Sequence, residues 1–343
     1  MHKMKCTFSM SETQMGTCGK CKMLVECERG QRQGLLCERN KMKEKNEAYE
    51  QFVNEVTEAI KKIAGEEYLI ISRNERKNNS VVLDGVMLQR ENERVAPNIY
   101  LNHYYPKYCN GESVQQIAEQ IIQLCEEKRE EILTLTAQLD FSPEYIGSHL
   151  YYRLISLERN EELLREIPYH LYLDLAVVYY WVVYEEGEQL GSIMMTLQQM
   201  ERMGWTEADL MRMAEENTPL LFPAMTKGIE EIVGEMLLRN TSFPMLVLSN
   251  EKGINGATCL MYPGVLTELE EKMQGSYYVL PSSIHELIVI PAENASASRL
   301  CEMVYCINRT QLPEEDILSD TVYYHQYGEA GLQLIGMGSS GNE

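Results

Sequence analysis

The stretch Leu173–Tyr184, LDLAVVYYWVVY, constrains this chain more than any other. Eight of its twelve residues are β-branched or aromatic, and Asp174 is the single charge among them. A strand with one wet face alternates apolar and polar side chains. A continuous apolar run bounded by turn signals instead reads as a central strand covered on both faces. Such a strand needs neighbours on its edges and layers above and below it, so the chain must build a sheet-containing body with a substantial core.

The flanking sequence supplies those layers. Phe52, Val53, Val56, Ile60 and Ile63 form a helical stripe closed by Gly65, giving a first helix over about 46–64. Segments 67–73, 80–90 and 95–102 are β-rich and read as consecutive strands. Ser113 and Gln116 form a capping-box pattern ahead of a stripe at Val114, Ile117, Ala118, Ile121 and Cys125, closing an αβββα unit. Further along, Thr206 and Asp209 cap a helix carrying Leu210, Met213 and Ala214, and a second helix is expected over about 226–238. Residues 245–250 and 257–262, around Asn255-Gly256, read as a hairpin. A helix with Val265, Leu266, Leu269 and Met273 follows, then strands at 277–281 and 286–291. Leu300, Met303, Val304 and Ile307 stripe one last helix. The pattern predicts an α+β or mixed α/β class, with mixed β-sheets covered by helices and a small Cys-rich N-terminal segment. At roughly 100–200 residues per domain, 343 residues make about two domains. The expected division is a Cys-rich basic segment 1–45, the αβββα unit 46–135, an α/β domain 145–327 and a flexible tail 328–343. Five Tyr-Tyr pairs and 20 Met residues read as packing, with one ring of each pair in the core and one at its rim.

Charge and cysteine divide the chain unevenly. The net charge is -21. Residues 1–45 nevertheless hold ten Lys or Arg against five Glu, net +5, which leaves 21 against 47, net -26, for the rest. The acidic body disfavours phosphate backbones and anionic lipid; the basic head could contact nucleic acid weakly. Five of the ten cysteines, Cys6, Cys18, Cys21, Cys27 and Cys37, lie in that head. Cys18, Cys21, Cys27 and Cys37 are spaced C-x2-C-x5-C-x9-C with glycines between them, a donor set suited to one structural zinc in a segment with few large apolar residues. The run Cys18, Cys21, Cys27 with the upstream Cys6 resembles the ligand run of the WhiB-like iron–sulfur regulators, although the Gly-Trp-rich turn of that family is missing. That resemblance implies an iron–sulfur cluster as the alternative to zinc. The plain alternative to both is a thiol-rich tail. No window of about 18 apolar residues is present and the first fifteen residues lack the apolar core of a signal peptide, so the expectation is a cytoplasmic chain with reduced thiols.

Candidates for catalysis are weak. Gly336, Gly338 and Gly341 spell GxGxxG, but no helix follows them to receive a phosphate. His285-Glu286 lacks the second histidine of a zinc protease, since the fourth residue on is Val289. Ser282, Ser283 and His285 share one short run between Pro281 and Pro291, which reads as a turn joining two strands, with a serine capping backbone groups. His103, His149, His170 and His325 are isolated in sequence and read as core or rim side chains. Asp174, entering the long strand, reads as a buried acid with a raised pKa and no identifiable partner.

Taken in order, NIYLNHYY (98–105), LDLAVVYY (173–180), ENTPLLFP (216–223), NGATCLMYPGVL (255–266), YVLPSSIHELIVIP (278–291) and ILSDTVYYH (317–325) resemble a family of uncharacterised proteins from gut clostridia and their relatives. The resemblance covers about 46–327 and implies a bacterial protein; it carries over no catalytic residue. Two functions are expected from these readings. The first is a non-enzymatic binding or regulatory module, with a protein partner or small ligand and a metal-bound head. The alternative is a hydrolase-like enzyme using the Ser282/Ser283/His285 turn with a distant acid such as Asp174.

Overall fold

The computed structural model describes residues 47–91, 93, 96–137, 140–187, 189–233, 245–281 and 283–335, which chain contacts group into two units. Among the described residues no helix is long and apolar enough to cross a membrane.

The smaller unit spans the described residues up to 75 and from 82 to 137. Helix α1 (47–64) buries Phe52, Val56 and Ile60, one residue per turn of its stripe, and ends at Gly65 in the left-handed region (φ +71). Strands β1 (Tyr68–Arg76), β2 (Val82–Arg90) and β3 (Asn98–Tyr100) lie in that order in one sheet. The short helix α2 (Tyr105–Cys109) follows, and α3 (Val114–Ala137) closes the unit. Ser113 and Gln116 exchange the bonds expected of them: the Ser113 N–H donates to Gln116 Oε1 at 3.1 Å and the Gln116 N–H to Ser113 Oγ at 3.3 Å. Ile117, Ala118, Ile121 and Cys125 of α3 pack with Phe52, Val56 and Ile60 of α1 and with Val86 and Leu88 of β2. One turn beyond Cys125, the same face carries Arg129, buried to 3% exposure and bonded to Glu93 and Glu126. Sequence periodicity gave no sign of this buried cation.

The larger unit takes the loop Arg76–Val81 and the described residues from 140 onward. After α4 (Pro143–Ser148) come β4 (Leu150–Ser156), β5 (Tyr169–Tyr172), β6 (Leu175–Glu186) and β7 (Gln189–Met194). β6 is the long apolar run of the sequence. It pairs with β4 along one edge and with β5 and β7 along the other, so it is central as expected. Helices α5 (Leu197–Met203) and α6 (Glu207–Leu221) each begin with a complete capping box, Thr196 with Gln199 and Thr206 with Asp209. Then follow β8 (Ala224–Gly228), α7 (Ile229–Val233), β9 (Leu246–Asn250), α8 (Val265–Met273), β10 (Tyr277–Leu280), β11 (Leu287–Pro291), α9 (Ala297–Thr310), β12 (Val322–His325) and β13 (Gln333–Ile335). The last six strands make one sheet in the order β13-β12-β10-β11-β9-β8. Tyr152, Tyr179 and Trp181 from the first sheet and Leu248, Val279, Val289 and Tyr323 from the second fill one core. On the far side of the six-stranded sheet, Leu300 and Val304 of α9 cover Leu280, Ile290 and Val322.

The class is α+β, and four sequence expectations change in detail. The sheets are antiparallel rather than mixed, from β2–β3 through β12–β13. Tight turns such as Leu173-Asp174 and 281–286 can join only antiparallel neighbours. Residues 257–262 are not a strand: Gly256–Met261 coil into a 3-10 helix entered through Asn255 in the left-handed region (φ 53). Ala257, Thr258, Cys259 and Leu260 are all buried, so the apolar pattern that mimicked a strand reflects burial on every side. Of the helix expected over 226–238, the first residues belong to β8 and only Ile229–Val233 is helical among the described residues. Gln333–Ile335, assigned to the tail, is an edge strand.

Candidate functional site

Glycine at 256 lets two turns of the larger unit close on each other. A Cβ there would lie 2.1 Å from Ser249 Oγ, 2.4 Å from the His285 carbonyl oxygen and 2.8 Å from the Asn250 nitrogen. Across this contact the turns trade bonds. Ser249 Oγ–H donates to the His285 carbonyl at 2.8 Å, and the Ala257 N–H donates to the Ile284 carbonyl at 3.1 Å. The Ile284 N–H donates to the Asp316 carbonyl at 2.9 Å. Asn250 clamps its own turn, giving a bond to the Ile254 carbonyl at 2.8 Å and accepting one from the Ile254 N–H at 3.3 Å.

The His285 ring sits at the centre. The Asn255 N–H points at Nδ1 from 3.2 Å, and because a backbone N–H can only donate, Nδ1 is an unprotonated acceptor. The ring proton is therefore on Nε2, which donates to Asp316 Oδ1 at 3.3 Å. A serine hydrolase needs the acid on one ring nitrogen and the nucleophile on the other. Here the second nitrogen is taken by the backbone. Ser283 is buried, and its Oγ accepts from the His285 N–H at 3.0 Å, the capping role expected of this turn. Ser282 lies outside the described residues. The adjoining cleft, lined by Asn250, Asn255, Thr258 and Tyr262, has room for about one water. Ligand sites run to roughly 300–1,000 Å³.

Asp174 is half-buried rather than buried, and it has partners. Leu173 turns the chain with φ +57, and Asp174 accepts from Ser319 Oγ–H at 2.5 Å and from the Tyr323 hydroxyl at 2.8 Å. It braces the β5–β6 turn and is not bonded to His285, whose carboxylate is Asp316. The remaining histidines divide as follows. His103 is exposed, His149 stacks on Tyr145 with ring centres 3.9 Å apart, and His170 Nδ1 is bonded to the Tyr179 hydroxyl at 2.6 Å. His325 is buried between the Gly331 carbonyl at 2.9 Å and Glu270 Oε2 at 2.8 Å. The bond from His325, with another from the Gly328 N–H, holds the Glu270 carboxyl below its ordinary range.

Cys18, Cys21, Cys27 and Cys37 lie outside the described residues, as do Gly336, Gly338 and Gly341. Among the described residues no group of three or more His, Cys, Asp or Glu is placed to hold a metal. Burial pushes the Cys125 thiol up to about 11 and the Cys259 thiol to about 12, which makes both poor nucleophiles.

A cluster that sequence reasoning missed lies on the outer face of the four-stranded sheet. The Arg153 side chain reaches from β4 across β6, its guanidinium carbon 3.8 Å from the centre of the Tyr180 ring and 5.1 Å from that of Tyr151. Its Nη2 donates to the Tyr151 hydroxyl and to Ser192 Oγ, the latter at 2.7 Å, while Nε is buried with no partner among the described residues. Among the described residues Arg153 has no carboxylate partner. The only signal in the sequence was a lone cation in the strand LYYRLIS.

A profile of the family of unknown function DUF5688 matches residues 49–327. The chain belongs to the DUF5688 family. No curated protein and no solved structure matches it. The blocks NGATCLMYPGVL and LPSSIHE, most specific in the sequence resemblance, turn out to be the two sides of the knot around Gly256 and His285 in this DUF5688 chain.

Proposed function

We propose that the chain works by binding rather than by covalent chemistry: a non-enzymatic binding or regulatory module whose acidic body carries the recognition surface and whose basic head forms a second, metal-bound contact. The observation that carries this reading is the His285 ring, with Asn255 N–H on one nitrogen and Asp316 on the other. A general base must offer a lone pair to the nucleophile, and this lone pair is spent on the backbone. The head belongs to the proposal on the spacing of Cys18, Cys21, Cys27 and Cys37 alone, with zinc as the metal and an iron–sulfur cluster involving Cys6 as the alternative. Ten cysteines in a chain of this length fit a reducing, cytoplasmic compartment.

The test uses the full-length chain and a serine-directed fluorophosphonate probe. No covalent labelling is expected. Labelling at Ser282 or Ser283 that disappears in a folded His285→Ala variant would replace this reading with the hydrolase. Elemental analysis of the same anaerobically purified sample should find about one zinc per chain, lost in Cys21→Ser. Iron with labile sulfide would make Cys6 a ligand, and a metal-free chain would remove the metal from the proposal.

A further inference from the structure

We infer that the outer face of the four-stranded sheet binds a small oxyanion, a carboxylate or phosphate group, through the Arg153 guanidinium. This rests on the binding reading and adds to it a place and a ligand class.

A guanidinium stays protonated in proteins, so Arg153 brings a full positive charge to a half-buried position. Desolvating a charge without a counter-charge is unfavourable, and proteins normally place a carboxylate against it. The chain has 52 acidic residues, yet none is paired with Arg153 among the described residues. Strand register shows how complete the exclusion is. From Tyr151 to Ile155 on β4, Ala176 to Val182 on β6 and Ser192 to Met194 on β7, no side chain on this face is an acid. What surrounds the guanidinium is neutral: two tyrosine faces and the hydroxyls of Tyr151 and Ser192. Cation–π contact offsets part of the desolvation and fixes the plane of the fork. Among the described residues Nη1 has no hydrogen-bond partner, and a planar, oriented donor of this kind suits carboxylate and phosphate oxygens.

The loop Arg76–Val81 is anchored by buried Asn79, whose Nδ2 donates to the carbonyls of Glu314 at 2.7 Å and Ile317 at 2.6 Å. Asn160 in turn donates to Asn79 Oδ1 at 3.0 Å. Burial raises the pKa of the Tyr180 phenol, and the charge of Arg153 over its ring pulls it back. The net charge of -21 does not forbid an anion here, because exposed charges more than about 10 Å away are largely screened at physiological salt.

The probes are inorganic phosphate and acetate, titrated separately into the full-length chain while the Arg side-chain Nε–H resonances are followed by NMR. Arg153→Lys identifies the Arg153 signal. Saturable movement of that signal is expected with at least one of the two anions, and which one responds tells a phosphate ligand from a carboxylate. In Arg153→Met, which keeps an apolar stem under the tyrosine rings, calorimetric affinity should fall at least tenfold while the melting temperature holds or rises. An Arg153 resonance indifferent to both anions, read in the native chain so that no variant need fold, overturns the inference and leaves Arg153 a strut between two rings. That outcome is separate from failure of the binding reading, which only labelling of the 281–286 turn would show.

Discussion

Gly256→Ala should cost the larger unit about 3 kcal/mol or more, measured by urea denaturation of the full-length chain. Two of the three atoms that the new methyl would meet are backbone: the His285 carbonyl oxygen at 2.4 Å and the Asn250 nitrogen at 2.8 Å. Neither can swing aside as a flexible side chain would. Relief requires the 255–261 coil to lift off β9, breaking the Asn255–His285 and Ala257–Ile284 bonds together. The neighbouring Gly253 makes the control. Its φ of +66 is awkward for alanine, but a Cβ there meets nothing within 4 Å, so Gly253→Ala should cost only the left-handed strain of about 1–2 kcal/mol. Equal losses at the two glycines would show that the close approach at Gly256 is not what holds the turns together.

Arg129→Ala should destabilise the smaller unit by about 3–5 kcal/mol, because removing one partner of a buried ion pair strands the other. The stranded group is Glu93, whose side chain is 12% exposed; Glu126, at 37%, is wet enough to contribute little. Arg129→Met with Glu93→Gln should recover a large part of the loss, since the desolvation of both charges is then removed. The pair also sets a pH dependence. Burial raises the Glu93 and Glu126 carboxyls, but hydrogen bonds and charge from Arg129, helped by the Arg90 N–H at Glu93 and the Tyr68 hydroxyl at Glu126, outweigh it, so both lie below the ordinary carboxylate range. A depressed folded pKa gives stability that is present above the unfolded pKa and is lost as the pH falls through the folded one. Denaturation midpoints of the native chain should therefore drop on acidification below the ordinary carboxylate range. In Arg129→Met that drop should be smaller. An acid profile unchanged by the substitution would show that these carboxyls are not held by Arg129.

These sites differ in how far the sequence could announce them. β6 was legible because all-round burial writes itself as an unbroken apolar run, and the caps at Ser113 and Thr206 because both partners lie three residues apart. The 281–286 turn was legible for the same reason: the prolines bracket it, and Ser283 bonds within two residues. The partners that give each site its chemistry come from far along the chain. Asp316 is 31 residues from His285, Glu93 is 36 from Arg129, Ser192 is 39 from Arg153, and Asp174 meets residues 145 and 149 positions away. Local periodicity carries no information at those separations. The 256–261 coil misled for a different reason, since four consecutive buried side chains satisfy a strand template as well as they satisfy a tight helix.

His285 is a strut whose ring nitrogens are both committed, one to the Asn255 N–H and the other to Asp316. Long-range proton–nitrogen correlation NMR of the histidine side chains tests it most directly, in the full-length chain at neutral pH. The His285 signal, identified by its loss in His285→Gln, should show the proton on Nε2 and an unprotonated Nδ1 that accepts from Asn255. A proton on Nδ1 with an open Nε2 would contradict it, because that tautomer leaves a lone pair free to serve a nucleophile.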